Sequence, residues 1–212
     1  MAPTVAFVTG ANRGLGLGLV KGFVAKPDYI VVAAVRDPAH VTAQELTKLP
    51  TGEGSRIIVH RAICLRRRQG GYRPMIDILV GSLLDGVDHL DYVVANAGIA
   101  KNYPFVKDVK RADILEHFAP PVPSALYGAS KSILPWYGVR INAEDEWLNT
   151  FVLDPGWVQT EMGNSAAKGW GIESAPHTIE KCTDGMVRVI TEGPKEQYGG
   201  KVVLYTGDIQ EW

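Results

Sequence analysis

The sequence predicts an α/β fold built on a parallel sheet with helices on both faces. Three observations predict it. Short β-branched runs alternate with longer segments of helical period, the first run passes through a glycine-rich turn straight into a helical pattern, and 212 residues suit one large α/β domain with no room for two. Residues 4–8 read as the first strand. Leu15, Leu19, Val20, Phe23 and Val24 then recur at helical spacing, and Pro27 stops that helix two residues after Ala25. The run 30–35 is the second strand and closes a βαβ unit. Residues 56–59, 90–95, 150–153 and 201–205 read as the remaining strands. Helical patterns fall at 75–84, 109–118, 124 to about 133, and 179–190. The helix at 109–118 runs into Pro120, Pro121 and Pro123 and cannot continue there. No repeat or linker divides the chain, so residues 1–212 are expected to form a single domain.

Composition narrows the function. Apolar residues make up 46% and charged residues 21%, a globular mix that sets aside disorder, collagen and coiled coil. With a formal net charge of −1 there is no electrostatic case for a nucleic-acid partner or an anionic membrane, and a small-molecule partner is expected. Cys64 and Cys182 are too few for a disulfide framework and lack metal-ligand spacing, which fits a reducing cytoplasm. The apolar runs at 5–8 and 30–35 are too short for a signal peptide or a membrane span. From Gly54 to Ile76 there is no acidic residue, while Arg61, Arg66, Arg67, Arg68 and Arg73 crowd one segment. It reads as a solvated loop or as a phosphate patch. Only Tyr72 offers a base something to stack on.

The turn Thr9-Gly10-Ala11-Asn12-Arg13-Gly14-Leu15-Gly16 follows a strand and opens a helix, where backbone N–H groups and the helix dipole can face a pyrophosphate. Gly10 allows the tight turn, Gly14 lets backbone approach phosphate, and Gly16 lets the helix sit close on the strand. The spacing is TGxxxGxG rather than GxGxxG. Such a turn also serves elsewhere as a mere connection. Cofactor choice is read at the end of the second strand, where a carboxylate favours NAD and an arginine pairs with the 2′-phosphate of NADP. Arg36 comes first there and Asp37 second; Arg13 can converge on the same phosphate, so the pair favours NADP over NAD. The other reading of Arg36 is a solvated strand end.

Tyr127-Gly128-Ala129-Ser130-Lys131 places a phenol and an ammonium at i and i+4 on one helix face. A free phenol, with a pKa near 10, is a poor acid or base at neutral pH. A positive charge about 5 Å away at an effective dielectric of about 20 is worth roughly 3 kcal/mol, or about 2 pKa units, enough to make Tyr127 a usable general acid and base. Taken alone, such a pair is a common surface feature.

Combined with TGxxxGxG, with Asn96-Ala97-Gly98 after the fourth strand, and with Pro155-Gly156 followed by Thr160, the chain resembles the short-chain dehydrogenase/reductase family across essentially its whole length. More narrowly, TGANRGLGLGLVKGF, AAVRDP, ANAGIAKNYP, PVPSALYGASK and LDPGWVQTEMG are similar to fungal ketoreductases of the norsolorinic acid ketoreductase type. The resemblance implies a Rossmann-like doubly wound sheet and hydride transfer between nicotinamide and the carbonyl or alcohol carbon of a hydrophobic, polyketide-like substrate. By the same resemblance Tyr127 and Lys131 are the catalytic pair, and Lys131 also bonds the nicotinamide ribose. Gly10, Asn12, Arg13, Gly14, Leu15, Gly16 and Arg36 would hold the phosphates. Asn96, Ala97 and Gly98 would line the adenosine ribose and brace the sheet. Pro155, Gly156, Val158 and the Thr160 hydroxyl would hold the nicotinamide carboxamide. No metal is implied, and a homo-oligomer is compatible with the family.

The chain departs from the family in one region. The family's active-site Ser and Asn cannot be assigned, because residues 83–123 hold no Ser or Thr and residues 103–123 no Asn. Ser124 reads as a helix cap or as a substitute for the missing hydroxyl. Phe118 reaches Tyr127 where the family has the rest of a helix, a strand and their loops, a loss of about 25 to 40 residues. Pro135 falls inside the expected catalytic helix, at a cost of roughly 3 kcal/mol. If one strand is missing, the 150–153 strand is expected to slide about 4.8 Å and pair directly with the 90–95 strand. Two functions follow from these residues: an NADP(H)-dependent ketoreductase, or a nucleotide-binding remnant with an impaired site.

Overall fold

In the computed structural model, residues 2–61, 87–98 and 125–211 are described, with 125–130 described through their helical backbone. The expected helices at 75–84 and 109–118, Cys64, the arginines from Arg66 to Arg73 and Ser124 lie outside the described residues. The chain divides into two compact units, Met1–Ala97 and Gly98–Trp212.

The first unit is a parallel sheet of β1 (Thr4–Thr9), β2 (Tyr29–Val35), β3 (Arg56–Arg61) and β4 (Tyr92–Val94) in the order β3-β2-β1-β4. Thr4 lies opposite Tyr29 and Thr9 opposite Ala34. β1 and β2 are central and buried along almost their whole length, which is why both read as unbroken apolar runs instead of alternating ones. One face packs Val5, Phe7, Ile30, Val32 and Ala34 with Val87, and Ile58 and Leu90 lie against them. α1 (Gly14–Val24) packs on β1 and β2. Its fully buried Leu19, Val20, Phe23 and Val24 each contribute roughly 1.5–3 kcal/mol. The Phe23 ring stacks between Tyr29 and Tyr92, with centroids 6.2 and 6.0 Å away. A short α2 (Val41–Gln44) and a 3₁₀ turn (Glu45–Lys48) follow β2. Just before β4, Asp91 donates its N–H to the Val5 carbonyl at 2.9 Å while its Oδ2 accepts the Val5 N–H at 2.6 Å, a side chain taking the place of a ladder carbonyl.

Among the described residues, the elements of the second unit are α3 (Ala125–Glu144), β5 (Val152–Asp154), α4 (Glu161–Gly169), α5 (Ile179–Glu192), α6 (Lys195–Tyr198), β6 (Val202–Leu204) and β7 (Ile209–Gln210). β6 pairs in parallel with β5 and antiparallel with β7. Val189, Tyr198 and Val203 form its core, with Phe151 and Leu153 packed against them.

Two expectations are corrected. The helix expected to end near 133 runs through Pro135 to Glu144. Pro135 and Gly138 are buried, and the far end of α3 is held by Lys195, whose Nζ lies 3.3, 3.2, 2.8 and 2.8 Å from the carbonyls of Asn142, Asp145, Glu146 and Leu148. A positive charge at a helix C-terminus is favourable, and hydrogen bonds from a charged donor, at about 1.5–3 kcal/mol each, offset the roughly 3 kcal/mol of an interior proline. The expected direct pairing of the 90–95 and 150–153 strands is not formed among the described residues. β4 bonds to β1, and β5 to β6 in a separate sheet. β5 is held by its ladder to β6 and by the packing of Phe151 and Leu153 on Val189, Tyr198 and Val203.

Candidate functional site

The glycine turn closes on itself and on the strand beside it. Gly10, with φ +65°, donates its N–H to the Ala34 carbonyl at 2.9 Å, a left-handed conformation that a side chain would strain. Gly14 opens α1 with φ +53°. A Cβ on Gly16 would run into the Gly10 carbonyl and come within 2.7 Å of Asn96 Nδ2. Asn96 Nδ2 donates to the Thr9 carbonyl at 2.8 Å, and the Ala97 N–H donates to Thr9 Oγ1 at 2.9 Å. Asn96 and Ala97 therefore clasp the end of β1. The first turn of α1 carries no acidic residue, and no side chain caps it, so its positive end is open to an anion. The uncapped, acid-free start of α1 fits a dinucleotide pyrophosphate.

The neighbouring side chains vary in how firmly they are placed. Asn12 Nδ2 donates to Thr42 Oγ1 at 2.7 Å, and His40 Nδ1 lies 2.9 Å from the same hydroxyl, so the turn is tied to the start of α2. Arg13 and Arg36 are both exposed, and Leu15 is half-buried. Asp37 spends one carboxylate oxygen on the Ala39 N–H at 3.0 Å.

In the second unit Tyr127 and Lys131 lie one turn apart on α3, Tyr127 being described through its backbone. Burial pushes the Lys131 ammonium below its ordinary range. Asp154 Oδ1 accepts the Gly156 N–H at 2.7 Å and starts the loop from Pro155 to Thr160. Val158 is buried and bridges to His177. Thr160 N-caps α4, its Oγ1 accepting the Gly163 N–H at 3.0 Å. That hydroxyl, expected to face a ligand, thus also has a structural task.

Sequence reasoning missed the support beneath this loop. His177, Tyr205, Gln159 and Asn164 hold it through contacts described below, and no spacing in the sequence marks them. Trp157 was legible only as part of a resemblance; its Nε1 donates to the Gly163 carbonyl at 3.0 Å, and its ring meets Trp170 edge-on at 5.4 Å. Among the described residues no group of His, Cys, Asp and Glu could hold a metal ion, and no helix is long and apolar enough to cross a membrane.

Comparison with known proteins follows the same lines. The sequence pattern of the family described as short chain dehydrogenase matches residues 4–135. A norsolorinic acid ketoreductase of Dothistroma septosporum is 32% identical over 245 positions, covering 95% of this chain and 90% of that protein. A short-chain dehydrogenase of Pyricularia oryzae is 29% identical over 252 positions, covering 99% of this chain and 98% of the relative. Both alignments exceed the 212 residues of this chain, so both relatives carry residues with no counterpart here. NADPH-bound carbonyl reductase from chicken fatty liver superposes with a TM-score of 0.76 over all of both chains at 20% identity. The 3-oxoacyl-[acyl-carrier protein] reductase from Brucella melitensis, in complex with NAD, gives 0.74 over 97% of this chain and 96% of that one at 14% identity. At these identities the two structures speak to the fold, which is the Rossmann-like parallel sheet with flanking helices.

Proposed function

The chain belongs to the short-chain dehydrogenase family and is an oxidoreductase by that membership, and from this premise we propose that it is an NADP(H)-dependent ketoreductase acting on a hydrophobic, polyketide-like ketone. The observation that carries the reading is the clasped glycine turn at the open end of α1, with Tyr127 and Lys131 on one helix turn. Gly10, Asn12, Arg13, Gly14, Leu15 and Gly16 would hold the pyrophosphate. Arg13 and Arg36 would pair with the 2′-phosphate, and Asn96, Ala97 and Gly98 would line the adenosine ribose. Pro155, Gly156, Val158 and Thr160 would receive the carboxamide. When bound, the nicotinamide supplies or accepts a hydride. Tyr127 donates its phenolic proton to the substrate oxygen in reduction and takes it back in oxidation, and the Lys131 ammonium makes that proton available near neutral pH. We take residues 1–212 as one catalytic domain and the reducing cytoplasm as its location. The matching ketoreductase acts, by its name, on norsolorinic acid, and a fused aromatic ketone is the substrate class we extend to this chain.

Titration with NADPH and NADH tests the cofactor assignment. Arg36→Asp replaces a phosphate partner with a like charge and is expected to weaken NADPH by about tenfold or more with little effect on NADH. An equal loss for both refutes it. A second reading, a nucleotide-binding remnant with impaired turnover, is favoured by the unassigned Ser and Asn and by alignments longer than the chain. Loss of one oxyanion donor costs about a hundredfold or more in rate. NADPH binding without ketone-dependent consumption would decide for it.

A further inference from the structure

We propose that His177 is a positioning residue for the nicotinamide end of the cofactor, acting through the loop from Pro155 to Thr160; the proposal rests on the function assigned to that loop above. The loop is not held by its own turn chemistry alone. Residues 175–178 run beside it as a parallel clamp: the Gln159 N–H donates to the His177 carbonyl at 2.8 Å, and the His177 N–H donates to the Trp157 carbonyl at 3.2 Å. Gln159 Nε2 donates to the Ala175 carbonyl at 2.9 Å, and the Ala175 N–H donates to Asn164 Oδ1 at 3.0 Å. These two main-chain and two side-chain bonds fix the height of the clamp. The His177 ring fixes its depth.

That ring packs at 5.6 Å from the ring of buried Tyr205, at an interplanar angle of 56°. Together the two rings form the surface against which Gly156 lies. A Cβ built on Gly156 would stand 3.2 Å from His177 Cδ2 and 3.3 Å from Tyr205 Cε1, a tight fit in which the rings would have to give by a few tenths of an ångström. Gly156 also has φ +73°, and its conformation is held from the other side by Asp154 Oδ1. Tyr205 in turn is anchored to the end of β5 by its N–H, which donates to the Asp154 carbonyl at 2.9 Å. Thr178, next in sequence to His177, N-caps α5, its Oγ1 accepting the Lys181 N–H at 3.3 Å. His177 therefore stands where the end of β5, the start of α5 and the loop meet. Remove its ring, and Gly156 loses one of its two supporting surfaces while the clamp keeps its backbone bonds. The loop's backbone groups then have more than one arrangement available, and ordering them on binding weakens the ligand that needs them.

The test compares a ligand that reaches the loop with one that does not. NADPH and adenosine 2′,5′-bisphosphate share the adenosine, the 2′-phosphate and a 5′-phosphate; only NADPH carries the nicotinamide. Calorimetric titration of the full chain with both, for wild type, His177→Ala and His177→Phe, is expected to show a loss of about fivefold to tenfold for NADPH in His177→Ala, the size of one main-chain hydrogen bond. The bisphosphate affinity should stay within about twofold. His177→Phe keeps a ring beside Tyr205 and should restore NADPH binding. Should His177→Ala fail to fold, His177→Asn, which removes the ring and keeps a polar side chain, is expected to give the same selective loss. Equal weakening of both ligands, or no weakening of NADPH, overturns the proposal. Absence of NADPH binding in the wild type would instead overturn the function on which it rests.

Discussion

Gly16 sets the spacing between α1 and the end of β1, and Gly16→Ala is the sharpest perturbation of the nucleotide cradle. Two effects oppose each other. Alanine is the better helix former by about 1 kcal/mol at an interior position. Against this, its Cβ would run into the Gly10 carbonyl and crowd Asn96 Nδ2 at 2.7 Å, where Gly10 is held through its N–H by the Ala34 carbonyl and Asn96 by the Thr9 carbonyl. Overpacking of this kind costs about 1–3 kcal/mol, and displacing the Asn96 amide from the Thr9 carbonyl costs about 1 kcal/mol more. Clash wins, leaving a net loss of about 1–3 kcal/mol and a Tm lower by about 3–10 °C for a chain of this length. NADPH affinity should fall by about tenfold or more, because the turn that would receive the pyrophosphate is displaced. Thermal unfolding by circular dichroism with parallel NADPH titration reads both quantities. Gly169→Ala is the control, since a Cβ there meets nothing within 4 Å, and it should leave Tm unchanged or higher. A Gly16→Ala protein as stable as wild type would refute the close-packing account of this turn.

Other consequences concern the second unit. Thr160→Ala removes the N-cap of α4 and should lower stability by about 1 kcal/mol, or about 2–4 °C in Tm, whereas Thr160→Ser keeps the oxygen and should stay close to wild type; equal losses in a melting experiment would show that the cap is not what the hydroxyl supplies. Burial lowers the Lys131 pKa in the folded chain, so between that lowered value and the ordinary lysine range the unfolded chain binds more protons than the folded one, and stability rises with pH across that window. Lys131→Met should flatten this alkaline rise and leave neutral-pH stability unchanged or higher, while cutting turnover by about a hundredfold or more; urea melts from pH 7 to 11 beside rate measurements check the two together, and a variant that keeps the alkaline rise contradicts the assignment.

Much of the fold is legible in the sequence because local and tertiary preferences agree there. β1, α1 and β2 lie within a residue or so of their expected limits, since central parallel strands are apolar throughout and α1 carries a clear helical stripe. The glycine turn is legible in the same way, Gly10 through its left-handed φ and Gly16 through its close approach to the Gly10 carbonyl. Elsewhere tertiary contacts decide. Nothing local announces that α3 passes Pro135, because the compensation comes from Lys195, far along the chain. α4 is hidden by its glycines and Asn164, and only the Thr160 cap marks its start. His177 and Tyr205 belong to the loop at 155–160 through packing, which no spacing in the sequence records.

The central claim is that Tyr127 transfers the proton in a reaction that consumes NADPH. Following NADPH absorbance with an anthraquinone ketone or a small diketone, for wild type and Tyr127→Phe at equal NADPH saturation, tests it most directly. The account predicts saturable, ketone-dependent consumption in the wild type, slow for want of the family's serine, and at least about a hundredfold lower in Tyr127→Phe. Consumption unchanged by Tyr127→Phe, or none in a wild-type chain that binds NADPH, would contradict it.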